Sequence, residues 1–229
     1  MRRSLPNIAA ALAVLTVALV LFAAKLTNGA SRTTDGPVSA PSFDARVTAG
    51  ATEDTAVFAG GCFWGVDAVY KHVKGVKRVI SGYSGGDLAS PSYDQVSTGD
   101  TGHAESVEVI YDPSVVSYGK LLQIFFSVAH DPTQLNRQGP NRGTQYRSAI
   151  FFNNAQQQQV AESYIKQLTA AKTYSRPIVT QVAKLRAFYP AEEYHQNYLA
   201  QHPNQPYIVI NDQPKIAALK KQFPDIYSN

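Results

Sequence analysis

Gly60-Gly61-Cys62-Phe63-Trp64-Gly65 holds the one cysteine and the one tryptophan of 229 residues, two positions apart. Just before it, Thr55-Ala56-Val57-Phe58-Ala59 reads as a short strand. Just after it, Val66, Val69, Tyr70 and Val73 recur at helical spacing. The glycines therefore occupy a strand-to-helix turn, where residues without Cβ let the backbone bend sharply. Cys62 is expected to open the helix, with unpaired N–H groups and the positive end of the helix dipole facing its sulfur. Such a place favours thiolate, the nucleophilic form. The competing reading is an inert core thiol, with Phe63 and Trp64 as simple packing. Residues further along the chain decide between the two.

Outward from this turn, the pattern predicts strand 55–59, helix 62–73 and strand 76–83. A loop rich in Gly, Ser, Pro and Asp follows from Ser84 to Gly102. Strand 104–111 ends at Asp112-Pro113, and helix 117–129 carries Leu121, Leu122, Phe125, Phe126 and Val128. A second long loop runs from Thr133 to Gly143, before strand 145–152 and helix 154–171. Strand-helix-strand-strand-helix-strand is the split βαβ order of ferredoxin-like folds. The fold class expected is α+β, a mixed or antiparallel sheet with helices packed on it. C-terminal extensions add strand 178–184, helix 190–200 and helix 213–222. Two long Gly/Pro-rich loops in one compact domain point to function.

The chain is 44% hydrophobic and 17% charged, which suits a globular domain with a sizeable core. Its net charge of +4 is small and scattered, so nucleic acid is not an expected partner. At the N-terminus Arg2 and Arg3 precede an apolar run from Ile8 to Ala24, closed by Lys25. This is the pattern of an export leader, residues 1–30. It fits either a cleaved signal peptide or an uncleaved membrane anchor, which would be the chain's one membrane contact. Residues 31–54 lack hydrophobic periodicity and read as a flexible tether, with the folded domain spanning 55–229. Export places the chain where disulfides form, yet one cysteine forms none internally. An unpaired cysteine there suggests a reactive thiol or an intermolecular bridge.

In strand 104–111 alternate residues share a face. Glu105 falls with Val107 and Val109 on the apolar side, where a carboxyl is hard to ionise and stays available as an acid. The alternative is a carboxylate reaching solvent at the strand start. Asp131, in His130-Asp131-Pro132, also reads as a helix-ending turn. Tyr93 lies in the first long loop and Tyr146 opens strand 145–152. Glu192-Glu193-Tyr194-His195-Gln196 lacks the paired histidines of a zinc site, and no metal is expected.

Taken together, these stretches resemble the peptide methionine sulfoxide reductase A family. The likeness rests on Gly61-Cys62-Phe63-Trp64-Gly65, Gly99-Asp100-Thr101-Gly102-His103-Ala104-Glu105, His130-Asp131-Pro132-Thr133, Gly143-Thr144-Gln145-Tyr146-Arg147-Ser148-Ala149-Ile150 and Ala191-Glu192-Glu193-Tyr194-His195-Gln196. It implies reduction of methionine S-sulfoxide, free or in proteins, with no bound cofactor. Residue by residue, it implies that Cys62 is the nucleophile and Glu105 the proton donor. Tyr93 and Tyr146 would hydrogen-bond the sulfoxide oxygen, and Phe63 and Trp64 would wall the substrate's methyl group. Asp131 would be a supporting acid. The first product would be a Cys62 sulfenic acid. The chain departs from many relatives in having no recycling cysteine: Gln205-Pro206-Tyr207-Ile208-Val209 contains none. An external thiol is therefore expected to regenerate Cys62, either a thioredoxin-like protein, glutathione or another small thiol. Two further readings stand beside this one. A cysteine acyl-transferase or hydrolase would pair Cys62 with His103, His130 or His195. A non-catalytic domain would recognise oxidised proteins through its aromatic pocket.

Overall fold

The computed structural model describes residues 36–47 and 50–229, so the expected leader lies outside the described residues. Strand β1 (Asp54–Gly60) is the centre of a six-stranded sheet. Its partners are β2 (Val76–Ser84), β3 (Ala104–Tyr111), β6 (Ser148–Phe152), β7 (Gln181–Lys184) and β8 (Phe188–Pro190), in the order β7-β6-β1-β3-β2-β8. All pairings are antiparallel except β6 with β7. The chain is thus α+β with a mixed sheet. The remaining strands, β4 (Arg137–Gln138) and β5 (Asn141–Arg142), form a small separate ribbon.

Both faces of β1 are covered, which explains its unbroken apolar run. Ala56 and Phe58 face the main core, and Val57 and Ala59 a smaller cluster with Ala104, Ala149 and Phe151. Helix α1 (Phe63–Lys71) and helix α3 (Tyr118–Ile124) pack on the main side through aromatic rings. Phe58 stacks against Tyr70 at 5.3 Å and Phe125 at 5.1 Å between centroids. The buried Tyr70 hydroxyl donates to the Leu121 carbonyl at 3.0 Å, so the ring stays in the core without an orphaned polar group.

Several expectations are corrected. The helix foreseen over 117–129 is α3 followed by a π-helical turn, Phe125–Ala129, which aims the chain into His130 and Asp131. The first long loop contains α2 (Tyr93–Ser97), closed by a Ser92–Gln95 capping box. The second contains the ribbon β4–β5. Strand 145–152 begins only at Ser148, and Tyr146 belongs to a 3-10 turn, Thr144–Tyr146. Strand 178–184 starts at Gln181. The helix foreseen over 190–200 is instead the end of β8, a 3-10 turn (Glu193–His195) and α5 (Tyr198–Gln201). Pairing with β2 overrides local helical spacing there, and Gln196 fixes the register by bonding Ser81 N–H and Ser81 and Ala191 carbonyls. Helix α4 (Ala155–Ala170) and helix α7 (Gln213–Gln222) fall where expected, and an extra helix α6 (Pro206–Asn211) precedes α7.

The tether is also corrected over its described part. Residues 36–47 lie against the domain: Val38 is buried, and its N–H and carbonyl bond Ser127 and Gln123. The Tyr164 hydroxyl donates to the Ser39 carbonyl at 2.6 Å. Asp44 accepts from the Gly119 N–H at 2.7 Å, satisfying one of the orphan donors in the first turn of α3. Among the described residues no helix is long and apolar enough to cross a membrane.

Asp44→Ala removes that acceptor from α3. The loss of a cap of this kind lowers unfolding free energy by about 1 kcal/mol, readable as a lower urea midpoint; an unchanged midpoint would return this segment to the status of a tether.

Candidate active site

Gly61 holds φ of +90°, a region that L side chains rarely adopt, and a Cβ there would collide with Gln138. This turn sets Cys62 at the N-cap of α1, directly beyond the end of β1. Glu105 comes from the neighbouring β3, on the same face as Val107 and Val109, and is only 3% exposed. The strand alternation therefore placed it correctly. Its Oε2 accepts the Phe63 N–H at 3.1 Å, and the Cys62 thiol also hydrogen-bonds its carboxyl. Nucleophile candidate and acid candidate are thus in direct contact.

Burial pushes the Glu105 carboxyl up from 4.5 to about 8, against the hydrogen bonds from Phe63 and Cys62. It therefore carries its proton at neutral pH. The expectation of a resting thiolate is corrected by the same effect. Burial, then the charges of Glu105 and Asp212, push the Cys62 thiol well above its ordinary range. The Trp64 N–H and Lys215 only partly offset them.

Phe63 and Trp64 begin α1, and their rings converge on His195. Phe63 lies 5.0 Å and Tyr93 4.4 Å from the His195 ring. The Trp64 indole N–H donates to His195 Nδ1 at 3.3 Å, and the indole stacks on Tyr198 at 3.7 Å, nearly parallel. Burial keeps His195 below its usual range, hence neutral. Tyr93 and Tyr146 arrive from α2 and the 3-10 turn before β6. Burial first, then nearby Glu105 and Cys62, push both phenols up, so each O–H remains a donor beside the pair. Glu192 ties this wall together: Oε1 accepts the Tyr93 N–H at 2.8 Å and Oε2 the Tyr83 hydroxyl at 2.9 Å.

Asp131 borders the same cavity as Cys62 but has no hydrogen bond to this constellation among the described residues. Its carboxylate accepts from Thr133 N–H, Thr133 Oγ1, Gln134 Nε2 and Arg176, so it pins the loop rather than the reacting groups. Those hydrogen bonds outweigh its burial and hold it below the usual carboxylate range. The histidines are likewise engaged elsewhere. His103 contacts Gly86 N–H and the Leu88 carbonyl, and His130 contacts Ser148 Oγ and the Phe125 carbonyl. Burial lowers His130 to about 4, so it is neutral. No histidine hydrogen-bonds Cys62 among the described residues, which removes the base that acyl transfer needs. The described residues contain no cluster of metal-ligating side chains.

The family model described as peptide methionine sulfoxide reductase matches residues 54–226. The chain belongs to the peptide methionine sulfoxide reductase family. It is similar to peptide methionine sulfoxide reductase MsrA 2 of Mesorhizobium japonicum, 61% identical over 175 residues that cover 76% of this chain and 90% of that one. It is also similar to MsrA 2 of Synechocystis, 53% identical, covering 78% and 83%. Among solved structures, reduced Mxr1 of Saccharomyces cerevisiae aligns with a TM-score of 0.62 at 32% identity, covering 72% of this chain and 92% of that one. Methionine sulfoxide reductase A of Corynebacterium diphtheriae aligns at 0.59 and 34% identity, covering 79% and 85%.

Around the sulfur, this member of the family uses residues that the sequence did not single out. The Tyr207 hydroxyl, from α6, hydrogen-bonds the Cys62 sulfur and accepts from Asn141 Nδ2 at 2.6 Å. Asp212 and Lys215, paired at 3.0 Å, lie where a side chain on Gly65 would be. Their one sequence-level signal is that α6 and α7 must pack somewhere; nothing local aims them at Cys62.

Glu105 binds its proton more tightly when folded than when unfolded, so its contribution to stability declines as pH rises from about 4.5 towards 8. Glu105→Gln removes this penalty. In urea titrations the variant's stability relative to the parent should rise across that window and level off above it; a pH-independent difference would show that Glu105 ionises normally.

Proposed function

We propose that this chain reduces methionine S-sulfoxide, free or in proteins, to methionine. The observation that carries the reading is the Cys62–Glu105 hydrogen bond beside two phenols and an aromatic wall. A sulfoxide oxygen leaves only if it is protonated as its sulfur is attacked. Glu105, protonated at pH 7, gives that proton, and Tyr93 and Tyr146 hold the oxygen by hydrogen bonds. The Cys62 sulfur attacks, and its own thiol proton restores Glu105. The substrate sulfur gains two electrons and Cys62 loses two, leaving methionine and a Cys62 sulfenic acid. Phe63 and Trp64 receive the methyl group, which selects one epimer at the chiral sulfur. Asp131 supports the site through its loop.

The resting thiol fits this order of events, because a thiolate beside an ionised Glu105 would leave the oxygen without a proton. An external thiol then regenerates Cys62, since the chain has no second cysteine. Both a thioredoxin-like protein and a small thiol are chemically competent. The inner strand order β6-β1-β3-β2, with two crossovers through helices, supports a ferredoxin-like split βαβ core with C-terminal extensions. The catalytic domain runs from about residue 55 to 229. The Arg2-Arg3 start and the apolar run to Ala24 support an exported enzyme, working outside the cytosol on oxidised proteins there.

Racemic methyl p-tolyl sulfoxide with dithiothreitol tests the reading: one enantiomer is consumed and the other persists. Loss of both, or of neither, rejects it. Cys62→Ser abolishes turnover. Replacing both Tyr93 and Tyr146 by Phe lowers kcat by about 100-fold or more, the scale of losing preorganised donors to a developing charge; an unchanged kcat would place the oxygen elsewhere.

A further inference from the structure

Cys62 borders two separate spaces. One lies on the side of the sulfur that faces Glu105, with Tyr93 and Tyr146 close by. The other is a cavity of about 370 Å³ between the π-helical turn, the β4–β5 ribbon and helices α6 and α7. Cys62, His130, Gln138, Tyr207, Asn211 and Lys215 line it, and none of Glu105, Phe63, Trp64, Tyr93 or Tyr146 does.

We propose that this second cavity binds the thiol that regenerates Cys62, and that this thiol is a small molecule carrying a carboxylate, of the glutathione class. The inference rests on the reductase reading above and adds the place and the chemistry of its second step. Displacement at sulfur runs in line: the incoming sulfur, the attacked sulfur and the leaving oxygen share an axis. The oxygen arrives from the Glu105 side and leaves there, so the thiol must approach Cys62 from another side, and this cavity, which Cys62 lines and Glu105 does not, offers that approach. The new S–S bond forms as the S–O bond breaks. The oxygen departs as water with a proton from Glu105, and the incoming thiol gives up its own proton to solvent in the cavity, from which Glu105 is reprotonated. The products are a mixed disulfide and water; a second molecule of the same thiol then attacks the outer sulfur, its proton passing to Cys62, so that free Cys62 and the oxidised disulfide of the small thiol are released.

The shape and the charge of the cavity select the thiol. Cys62 is only 7% exposed, out of reach of a cysteine on a convex protein surface, whereas the cavity's volume lies in the range of small-molecule sites. Two charged groups line it. Asp131 is saturated by Thr133, Gln134 and Arg176. Lys215 spends one of its three donors on Asp212 and keeps the others for an anion. Tyr207 completes the site next to the sulfur itself.

The test separates the two half-reactions in the full chain. The enzyme is first mixed with one equivalent of methionine sulfoxide and no thiol, and methionine is counted. Glutathione, 2-mercaptoethanol or thioredoxin is then added, and loss of dimedone-reactive Cys62 is timed. Ile210 lies at the rim, 71% exposed, where substitution spares the fold. Ile210→Glu should slow glutathione by about fivefold or more and Ile210→Lys should speed it, as rim charges act on association, while neutral 2-mercaptoethanol changes less than about twofold. Ala218→Phe, inside the cavity, should slow both small thiols. The first burst of methionine stays stoichiometric in all three. Indifference of both small thiols to Ala218→Phe overturns the route. Equal responses of glutathione and 2-mercaptoethanol to the rim charges overturn the carboxylate. Thioredoxin outpacing glutathione at equal concentration overturns the small-molecule assignment. Absence of the burst in the unsubstituted chain instead overturns the reductase reading beneath it.

Discussion

A carboxyl and a thiol share one dry corner at the start of α1, and only one proton-bearing arrangement of them is tolerable there. The N-terminus of a helix stabilises a nearby anion by about 0.3–2 kcal/mol. Removing a carboxylate or thiolate from water costs several kcal/mol. Two unit charges about 4 Å apart add about 4 kcal/mol of repulsion even at an effective dielectric constant of about 20. Burial therefore wins over the dipole, and the pair rests as thiol and acid. The Phe63 N–H donates to Glu105 rather than to the sulfur. Cys62 and Glu105 then titrate as a unit, so neither proton leaves without changing the hold on the other.

The surrounding fold exists to keep that corner dry yet open to a substrate. β1 delivers Cys62 and β3 delivers Glu105, and their pairing, Phe58 opposite Val107, fixes the two at one end of the sheet. The aromatic stack around Phe58 anchors α1 and α3 against that sheet. Glu192 and His195, carried on the segment after β8, hold Tyr93 and Trp64 in place. The aromatic wall is thus braced by residues 99 and 131 positions away in the chain.

What was legible in the sequence was local. The turn at Gly61-Cys62, the β1-α1-β2 order and the apolar face of Glu105 follow from residue spacing and chain punctuation alone. What was not legible depends on contacts across the chain. Residues 190–200 carry helical spacing, but β2 captures Phe188–Pro190 as a strand, and Gln196 locks the turn that follows. Residues 36–47 have no periodicity because they need none: a buried Val38, an acceptor at Ser39 and a cap at Asp44 suffice to dock them. The thiol state of Cys62 is set by the same kind of contact. A helix start is visible in one dimension, whereas the closeness of Glu105, Asp212 and Tyr207 is not.

The C-terminal helices matter most for what they bring to a chain with a single cysteine. In the proposed cycle Glu105 gives its proton to the oxygen twice, first as the oxygen passes from the substrate to Cys62 and then as it leaves the sulfenic acid as water. The same acid must therefore be recharged in between. Two thiol protons are available for this, that of Cys62 in the first step and that of the incoming thiol in the second. The first enters next to the carboxyl that needs it, because Cys62 touches Glu105 directly; the second is released in the cavity on the other side of the sulfur and reaches Glu105 through solvent. A buried carboxyl of raised proton affinity captures the first proton without help from water, while Tyr207 and the Asp212–Lys215 pair, from α6 and α7, flank the sulfur on the side where the incoming thiol docks. Burial that makes Cys62 a poor thiolate is then the same burial that lets one acid serve both steps.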